Sequence, residues 1–341
     1  MGEIVTIGLD LAKNVFQVHG VDSNGAAVLK KAIRRSQVLT FFRDLPSCLV
    51  GMEACATAHH WARELTALGH KVRLMPPQYV KAYVKRNKND AADAEAICEA
   101  VRRPSMRFVP VKTEEQQSAL AMHRVRELLV RQRTMLINAL RSHLAEIGIV
   151  EAQGANKVGR LVAIVQNPDD RRISGSLRIT LTTLAQHLER AGEEIATIDK
   201  RIATWHKANA VSQRLASIPG IGAVTATAIA ASVPDARSFR SGREFAAWLG
   251  LVPKQNSTGG KARLGSISKR GDGYLRRLLI NCAMSALLRS KAIRSMPWVK
   301  RMIEKRKRPL VVAVALANKT ARVAWAIMSR GTVYQPVATV T

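Results

Sequence analysis

Apolar and polar positions alternate over short distances in the first hundred residues, and the pattern predicts strands and helices in turn. Short apolar or alternating runs are typical of strands, whereas spacings of three and four residues are typical of helices. A meander of three strands, then helices alternating with strands, predicts a mixed sheet with flanking helices. The predicted strands are 4–11, 15–22, 26–33, 48–54 and 71–77, and the predicted helices are 36–45 and 57–69.

A longer helical period follows in the middle of the chain. From Leu177 to Trp205 apolar side chains recur at intervals of four and three in turn, which is typical of a coiled coil or a long helical hairpin. The segment 125–147 is the candidate opposing helix. The alternative is the core of a plain helical bundle, but so regular a period favours a protruding coiled-coil insertion.

The last third of the chain has mainly helical patterns and ends in an Ala-rich helix predicted at 318–330. We therefore expect an α/β domain at 1–110, a helical coiled-coil region at 111–210 and a mostly helical domain at 211–341. A chain of 341 residues is long enough for two or three domains.

The charge of the chain changes this picture by pointing to a polyanion. Lys and Arg number 54 against 25 Asp and Glu, a formal net charge of +29. From Leu251 onward, 19 Lys and Arg face only Asp272 and Glu304. So uneven a charge favours a nucleic-acid face, with a membrane surface as the weaker alternative. Aromatic residues make up 4% of the chain, which argues against a stacking platform for single strands.

Cysteine spacing and hydropathy exclude several other classes. The four cysteines form no CxxC pair, so neither a zinc site nor a disulfide framework is indicated. We find no signal peptide and no apolar run of transmembrane length. The histidines, His123 among them, have no metal-ligand spacing and are interpreted as surface or packing residues. We expect a cytoplasmic protein.

Four carboxylates form the main candidate site. Asp10 and Glu53 end predicted strands, while Asp90 and Asp93 fall in the first turn of a predicted helix, on one face. Singly, each suits a turn or a helix start. If the first and fourth strands are neighbours, however, all four converge, and oxygen ligands of this kind select Mg²⁺ or Mn²⁺. Paired ions of this type catalyse phosphodiester chemistry.

Basic residues near these carboxylates are candidate phosphate contacts. Lys13 follows Asp10, and Lys85, Arg86 and Lys88 belong to a basic run just before Asp90. We expect this run to hold a nucleic-acid backbone beside the metal.

Two further motifs lie in the last third. In "IPGIG" (218–222), Gly220 and Gly222 are typical of a helix-hairpin-helix turn that approaches phosphate; a plain interhelical turn is the alternative. In "QNSTGGKARLGSISKRGD" (255–272), small residues around Ser257 and Thr258 lie among cations. A hydroxyl here could attack a phosphate, or the loop could only cradle one. The cationic candidates for phosphate binding are Lys261, Arg263, Lys269 and Arg270.

Taken in order, "GLDLAKNVFQVHGVD", "MEAC", "NKNDAADAEAI", "IPGIG" and "FAAWLGLVPKQNSTGGKARLGSISKRGD" span nearly the whole chain. They closely resemble the DEDD transposases of the IS-one-ten (IS110) group of bacterial insertion sequences, in the IS-eleven-eleven (IS1111) branch. The resemblance implies an N-terminal RuvC-like (RNase H fold) domain, a coiled-coil insertion and a C-terminal transposase domain. It also implies recombination of donor and target DNA, guided by a non-coding bridge RNA.

Residue by residue, the resemblance implies that the DEDD tetrad is Asp10, Glu53, Asp90 and Asp93. It implies a nucleophilic serine in the "STGG" loop. In some members the serine immediately precedes a glycine, whereas here Thr258 has that position and Ser257 is one earlier. We assign Ser257, with Thr258 as the alternative.

Three functions remain open from the sequence. The first is an RNA-guided transposase that acts as a dimer assembling to a tetramer on the bacterial nucleoid. The second is a metal-dependent resolvase of Holliday-junction type, with water as the nucleophile. The third is a non-catalytic nucleic-acid-binding protein with a degenerate nuclease fold.

Overall fold

The computed structural model describes residues 3–84, 90–152, 154, 157–256 and 263–335. The chain divides into two compact units. Unit 1 is Met1–Glu114 with Val233–Ser238, and unit 2 is Glu115–Ser232 with Phe239–Thr341. The three-domain boundaries expected from the sequence stay a prediction.

Unit 1 contains a five-stranded mixed sheet, as the sequence predicts. The strands are β1 (Thr6–Asp10), β2 (Val15–Val21), β3 (Ala27–Arg34), β4 (Leu49–Glu53) and β5 (Lys71–Met75), in the order β3-β2-β1-β4-β5. β1, β2 and β3 form the antiparallel meander, while β4 runs parallel to both β1 and β5. The neighbouring first and fourth strands, on which the carboxylate prediction depends, are confirmed.

Helices cover the apolar faces of this sheet. They are α1 (Val38–Arg43), α2 (Ala58–Ala67), the short α3 (Pro77–Val80) and α4 (Asp90–Val101). Side chains from the sheet, α1 and α2 form one buried cluster, which includes Phe16, Phe42 and Trp61. A second cluster joins β5 to the buried face of α4, including Met75 and Ile97. These cores fix the position of α4 against the strands that end in carboxylates.

Unit 2 is mainly helical among its described residues. Two long helices, α5 (Glu114–Ala145) and α7 (Gly175–Ala208), are separated by α6 (Val158–Gln166). Leu140 and Leu144 of α5 join α6 and the first turns of α7 in one buried cluster. The apolar period of α7 is therefore used for packing along its N-terminal half. A coiled coil stays a prediction.

The rest of unit 2 is a bundle of helices with one hairpin. The helices are α8 (Ala210–Ala216), α9 (Ala223–Ser232), α10 (Gly242–Trp248), α11 (Gly273–Arg289), α12 (Lys291–Ser295), α13 (Pro297–Glu304) and α14 (Pro309–Arg330). The hairpin pairs β6 (Pro253–Gln255) with β7 (Leu264–Ile267).

Two expectations about the closing helix need correction. The helix predicted at 318–330 begins earlier, at Pro309, because a proline suits the first turn of a helix. By length and composition α14 is also apolar enough to cross a membrane, contrary to the expectation that no such run exists. Of its most apolar window 44% is buried inside the protein, where α14 packs against α10 and α11.

Candidate functional site

The first candidate carboxylate, Asp10, ends strand β1. Gly8 lies two residues earlier, so both side-chain positions are on the same face of the sheet. A Cβ atom at Gly8 would lie 2.1 Å from the carbonyl oxygen of Ala94 and 2.4 Å from the backbone nitrogen of Cys98. Only glycine therefore lets α4 lie directly on β1 beside this acid.

The neighbouring strand repeats this arrangement. Gly51 precedes Glu53 by two residues on β4, and a Cβ atom at Gly51 would lie 2.7 Å from Cβ of Val101 in α4. Both strands that carry a candidate carboxylate thus have glycine where α4 crosses them. The pattern of glycine, one apolar residue and an acid is visible in the sequence, and the structure gives its physical reason.

Three of the four predicted carboxylates come together. Asp10, Asp90 and Asp93 each offer an oxygen, and these oxygens lie within 4.8 Å of one another. Asp10 and Asp93 are half-buried, and Asp90 is exposed. Asp90 and Asp93 form the acidic first turn of α4, where the helix dipole favours negative charge. We call these three residues the aspartate cluster.

Glu53 lies at the end of β4 and is outside the aspartate cluster. The course of α4 explains the difference. Its residues Ala94 and Cys98 lie over β1, and Val101, nearer its C-terminus, lies over β4. The helix therefore crosses from β1 towards β4 as it leads away from its acidic first turn, which lies on the β1 side.

The aspartate cluster has the donor set for a hard divalent cation. Three carboxylates so close together repel one another unless a cation offsets their charge. Oxygen-only ligands suit Mg²⁺ or Mn²⁺ rather than softer metals. The residues present thus fit a divalent metal, and the described part of unit 1 supplies the ligands from one strand end and one helix turn.

The predicted phosphate contacts near the cluster are only partly described. Lys13 is exposed in the turn between β1 and β2. Lys85, Arg86 and Lys88 lie outside the described residues, so their predicted role stays a prediction.

The "IPGIG" segment forms the turn between α8 and α9. Ile218 and Ile221 are buried, and Gly220 has φ of +89°. A Cβ atom on Gly220 would lie 3.2 Å from the carbonyl oxygen of Cys282. The backbone conformation therefore favours glycine at this position, and packing leaves little room for a larger side chain. Gly222 is exposed with open space around it, at the start of α9, and phosphate binding here stays a prediction.

The predicted nucleophile lies in the segment between β6 and β7. Asn256 donates its backbone N–H to the carbonyl of Arg263 at 3.0 Å. Ser257, Thr258 and Lys261 fall between these two residues and lie outside the described residues. Arg263 is exposed beside this segment.

The other end of the hairpin is tied to a tight turn. Ser268 and Lys269 donate backbone hydrogen bonds to Val252 and Gly250. A Cβ atom on Gly271 would lie 1.8 Å from the carbonyl oxygen of Trp248. The turn therefore has no room for any residue larger than glycine at position 271. Lys269 and Arg270 are exposed on this hydrogen-bonded turn.

A buried polar group lies under the helix that follows this turn. His123 of α5 is within hydrogen-bond distance of the Tyr274 hydroxyl at 3.0 Å and of the Thr227 hydroxyl at 2.9 Å. Burial lowers the pKa of His123 to about 4, and burial raises the pKa of Tyr274 to about 12. Both groups are therefore neutral near pH 7. His123 is a packing histidine, as the sequence indicates.

Comparison with known proteins agrees with this geometry. Residues 7–149 match the family model of DEDD transposases of IS110 type, and residues 212–297 match the model described as "Transposase IS116/IS110/IS902 family". The first match contains the aspartate cluster. The second contains the "IPGIG" turn and the β6–β7 hairpin.

Several relatives match over nearly their whole length. The "Probable family 20 transposase" of Pseudomonas aeruginosa is 51% identical, covering 97% of this chain and 98% of the relative. The transposase for insertion sequence element IS1328 of Yersinia enterocolitica is 43% identical, covering 98% of this chain and 99% of the relative. The transposase for IS1111A of Coxiella burnetii is 39% identical, covering 98% of this chain and 92% of the relative. The chain belongs to the IS116/IS110/IS902 family of insertion-sequence transposases.

Proposed function

We propose that this chain cuts and rejoins DNA, using a divalent metal held by carboxylates and a serine nucleophile, under the guidance of a bridge RNA. The aspartate cluster is the single observation that carries the proposal. It lies in unit 1, whose strand order β3-β2-β1-β4-β5 supports an RuvC-like (RNase H) fold. Asp10, Asp90 and Asp93 would hold the metal, and Glu53 would complete the tetrad from the next strand end.

When bound, Mg²⁺ or Mn²⁺ would neutralise charge on the scissile phosphate and orient it. The chain's own residues supply the rest. The carboxylates would hold the metal in place, and exposed cations such as Lys13 of unit 1, and Lys269 and Arg270 of unit 2, would bind DNA phosphates. Positioning and charge neutralisation are the main requirements of phosphoryl transfer.

The nucleophile in this proposal is the Ser257 hydroxyl, with Thr258 as the alternative. Its oxygen attacks phosphorus and loses its proton, and the bond from phosphorus to the departing sugar oxygen breaks. That oxygen takes up a proton, so a phosphoserine ester and a free sugar hydroxyl result. Attack of another strand's hydroxyl on the ester restores a phosphodiester and frees the serine. Water hydrolyses no phosphodiester in these two steps, so the energy of the phosphodiester bond is conserved.

The same proposal includes partners. A second protomer cuts the other strand, a dimer assembles to a tetramer to hold donor and target DNA, and the bridge RNA selects both by base pairing. The net positive charge of the chain supports binding to DNA and RNA, whose phosphates are negative. The assembly acts in the bacterial cytoplasm, on the nucleoid.

Trapping the covalent intermediate tests the nucleophile. Labelled DNA carrying the element's ends is incubated with the chain, bridge RNA and Mg²⁺ and run on a denaturing gel. We expect protein-linked DNA with the natural chain and none with Ser257→Ala. Thr258→Ala is the matched control, and retention of the adduct by Ser257→Ala but not by Thr258→Ala would move the assignment to Thr258.

A metal-dependent resolvase is the second candidate, because the aspartate cluster alone suits hydrolysis by water. Cleaved DNA with no attached protein in the same gel would favour it. If the chain does not cleave DNA and shows no Mn²⁺ binding sensitive to Asp10→Asn or Glu53→Gln, it is instead a non-catalytic binding protein. Calorimetric titration of Mn²⁺ distinguishes these outcomes.

A further inference from the structure

Unit 2 contains a cavity of about 780 Å³ that no motif of the sequence marks. Its walls come from the start of α10, from Trp298 at the start of α13, and from one face of α14. This volume lies in the range of sites that bind small organic groups. We call it the tryptophan cavity.

The lining combines two indole rings with three cations. Trp298 and Trp325 are both partly buried, while Arg243, Lys319 and Arg322 are exposed at the rim. No Asp or Glu occurs among the lining residues, all of which belong to the described part of the chain. The cavity is therefore apolar inside and positive outside.

Trp298 already binds a cation with its ring. Lys319 Nζ lies 5.2 Å from the centre of the Trp298 ring, a cation–π contact. The Trp298 Nε1 atom is buried without a hydrogen-bond partner among the described residues. No hydrogen bond from Nε1 therefore fixes the orientation of this ring.

Gly242 sets the width of the cavity. A Cβ atom on Gly242 would lie 3.0 Å from the carbonyl oxygen of Arg322 and 3.1 Å from its Cα. The close approach of α10 to α14 thus places Arg243 and Arg322 on neighbouring parts of the rim. Two guanidinium groups so arranged suit anionic oxygens.

We propose that the tryptophan cavity captures one unpaired nucleotide of DNA, with its base stacked on Trp298 and its flanking phosphates bound by Arg243, Lys319 and Arg322. Base–indole stacking does not depend on the identity of the base, and phosphate contacts do not depend on sequence. When a base takes the ring face, the Lys319 ammonium leaves it for a phosphate. A single cavity needs only two rings, so the low aromatic content of the chain does not exclude it.

This inference goes beyond the proposed chemistry and does not rest on strand cutting. Unpaired nucleotides do arise wherever strands are opened and exchanged, and a site that holds one would stabilise the opened DNA. Binding can be measured with the full-length natural chain in EDTA, where no divalent metal is available for cutting. Failure of cleavage and failure of base capture are thus separate results.

Fluorescence anisotropy with two labelled duplexes tests the proposal. One duplex is perfectly paired, and the other is identical except for one unpaired thymidine. We expect tighter binding of the bulged duplex, and a loss of roughly five-fold or more of that preference in Trp298→Ala, because stacking on one ring is removed. Trp298→Phe keeps an aromatic face and should retain most of the preference.

A matched pair of charge variants tests the rim. Arg322→Gln should weaken binding of the bulged duplex more than that of the paired one. Arg289→Gln removes the same charge from an exposed position on α11 outside the cavity, and should weaken both duplexes equally. Arg322→Gln leaves the indoles in place, so it tests the cavity even if Trp298→Ala does not fold.

Cross-linking gives the location directly. With 5-iodouracil as the unpaired base, irradiation should attach the DNA to Trp298 or Trp325, identified by mass spectrometry. Attachment elsewhere, or an unchanged preference in folded Trp298→Ala, would overturn the proposal. So would a Trp298-dependent preference seen only with bulged RNA, or loss of self-association rather than of DNA binding in Trp298→Ala.

Discussion

The aspartate cluster of unit 1 and the tryptophan cavity of unit 2 differ in how unusual their residue types are for the elements that carry them. The cluster joins Asp10 to Asp90 and Asp93, which follow 80 and 83 positions later, through a strand end and a helix that two glycines allow onto the sheet. The cavity takes its Lys319, Arg322 and Trp325 from one face of α14, adds Trp298 of α13 and the start of α10, and has charged residues that resemble an ordinary solvated surface.

This contrast explains why only one of the two sites was predicted. A carboxylate at the end of an apolar strand is unusual enough to be noticed in a sequence. A lysine, an arginine and a tryptophan along an Ala-rich helix are not, because such residues are common on helix surfaces. A site can be predicted from sequence when its residue types are unusual for the element that carries them, such as a carboxylate at the end of an apolar strand.

The largest expected effect comes from removing one member of the aspartate cluster. Asp10→Asn keeps the size of the side chain but removes a charged metal ligand. DNA cleavage should fall on the order of a hundredfold or more, because metal coordination supplies several kcal/mol of transition-state stabilisation. A gel assay of labelled DNA ends measures the rate.

Asp44→Asn is the matched control for this prediction. Asp44 is an exposed carboxylate of unit 1 at the end of α1, and its loss should leave cleavage unchanged. Equal losses in both variants would show that general negative charge, rather than the cluster, matters.

The next effect tests the glycine that places α4 on the sheet. Gly8→Ala introduces a Cβ atom 2.1 Å from the Ala94 carbonyl oxygen, so the helix must move. We expect about 3 kcal/mol of lost stability, the upper part of the range for overpacking, with weaker Mn²⁺ binding. Urea denaturation and calorimetry measure the two quantities.

Gly192→Ala is the comparison variant, because nothing lies within 4 Å of its Cβ position and its backbone is helical. It should stabilise the chain by about 0.5–1 kcal/mol. If Gly8→Ala is equally harmless, the glycine does not control the position of α4.

Much of unit 1 follows from its sequence, and less of unit 2 does. The strand predicted at 48–54 is observed as Leu49–Glu53, and it pairs with β1, the condition on which the carboxylate prediction depended. The spacing of apolar residues, and the glycines and prolines that end each run, specify such elements locally. The position of Glu53 outside the aspartate cluster and the walls of the tryptophan cavity depend on how helices cross. Tertiary packing decides these angles, and no local pattern records them.

The third effect is the pH dependence of unit 2. The pKa of His123 falls from 6.5 to about 4 because burial disfavours its charged form. Below pH 6.5 the unfolded chain binds a proton that the folded chain excludes, so the free energy of unfolding decreases as the pH falls from 6.5 to 4. The loss amounts to at most about 3 kcal/mol.

Denaturation curves of the natural chain and His123→Gln measure this effect. The variant should be less stable at pH 7, because it disturbs the contacts with Tyr274 and Thr227, yet depend less steeply on pH between 6.5 and 4. His59 of unit 1 also has its pKa lowered to about 4, by burial and by Lys112 and Arg63, and contributes equally to both curves. Parallel curves would exclude His123 as a source of acid sensitivity.

The smallest effect separates fold from charge in the basic region of unit 2. Asp272 accepts backbone hydrogen bonds from Tyr274 and Leu275 at 2.8 and 3.0 Å, and so caps α11 beside Lys269 and Arg270. Asp272→Ala should cost about 1 kcal/mol of stability, whereas asparagine is an equally good cap. Asp272→Asn should therefore keep its melting temperature and bind DNA slightly more tightly, with a steeper dependence on salt. If Asp272→Ala also keeps the melting temperature of the natural chain, the side-chain oxygen of residue 272 is not needed as a cap, and the presence of an acid among these 19 cations would have another cause. If Asp272→Ala does lower it, Asp272 is an acid that stabilises a helix within a basic region. The aspartate cluster is the converse, because its acids lie close together although they repel one another.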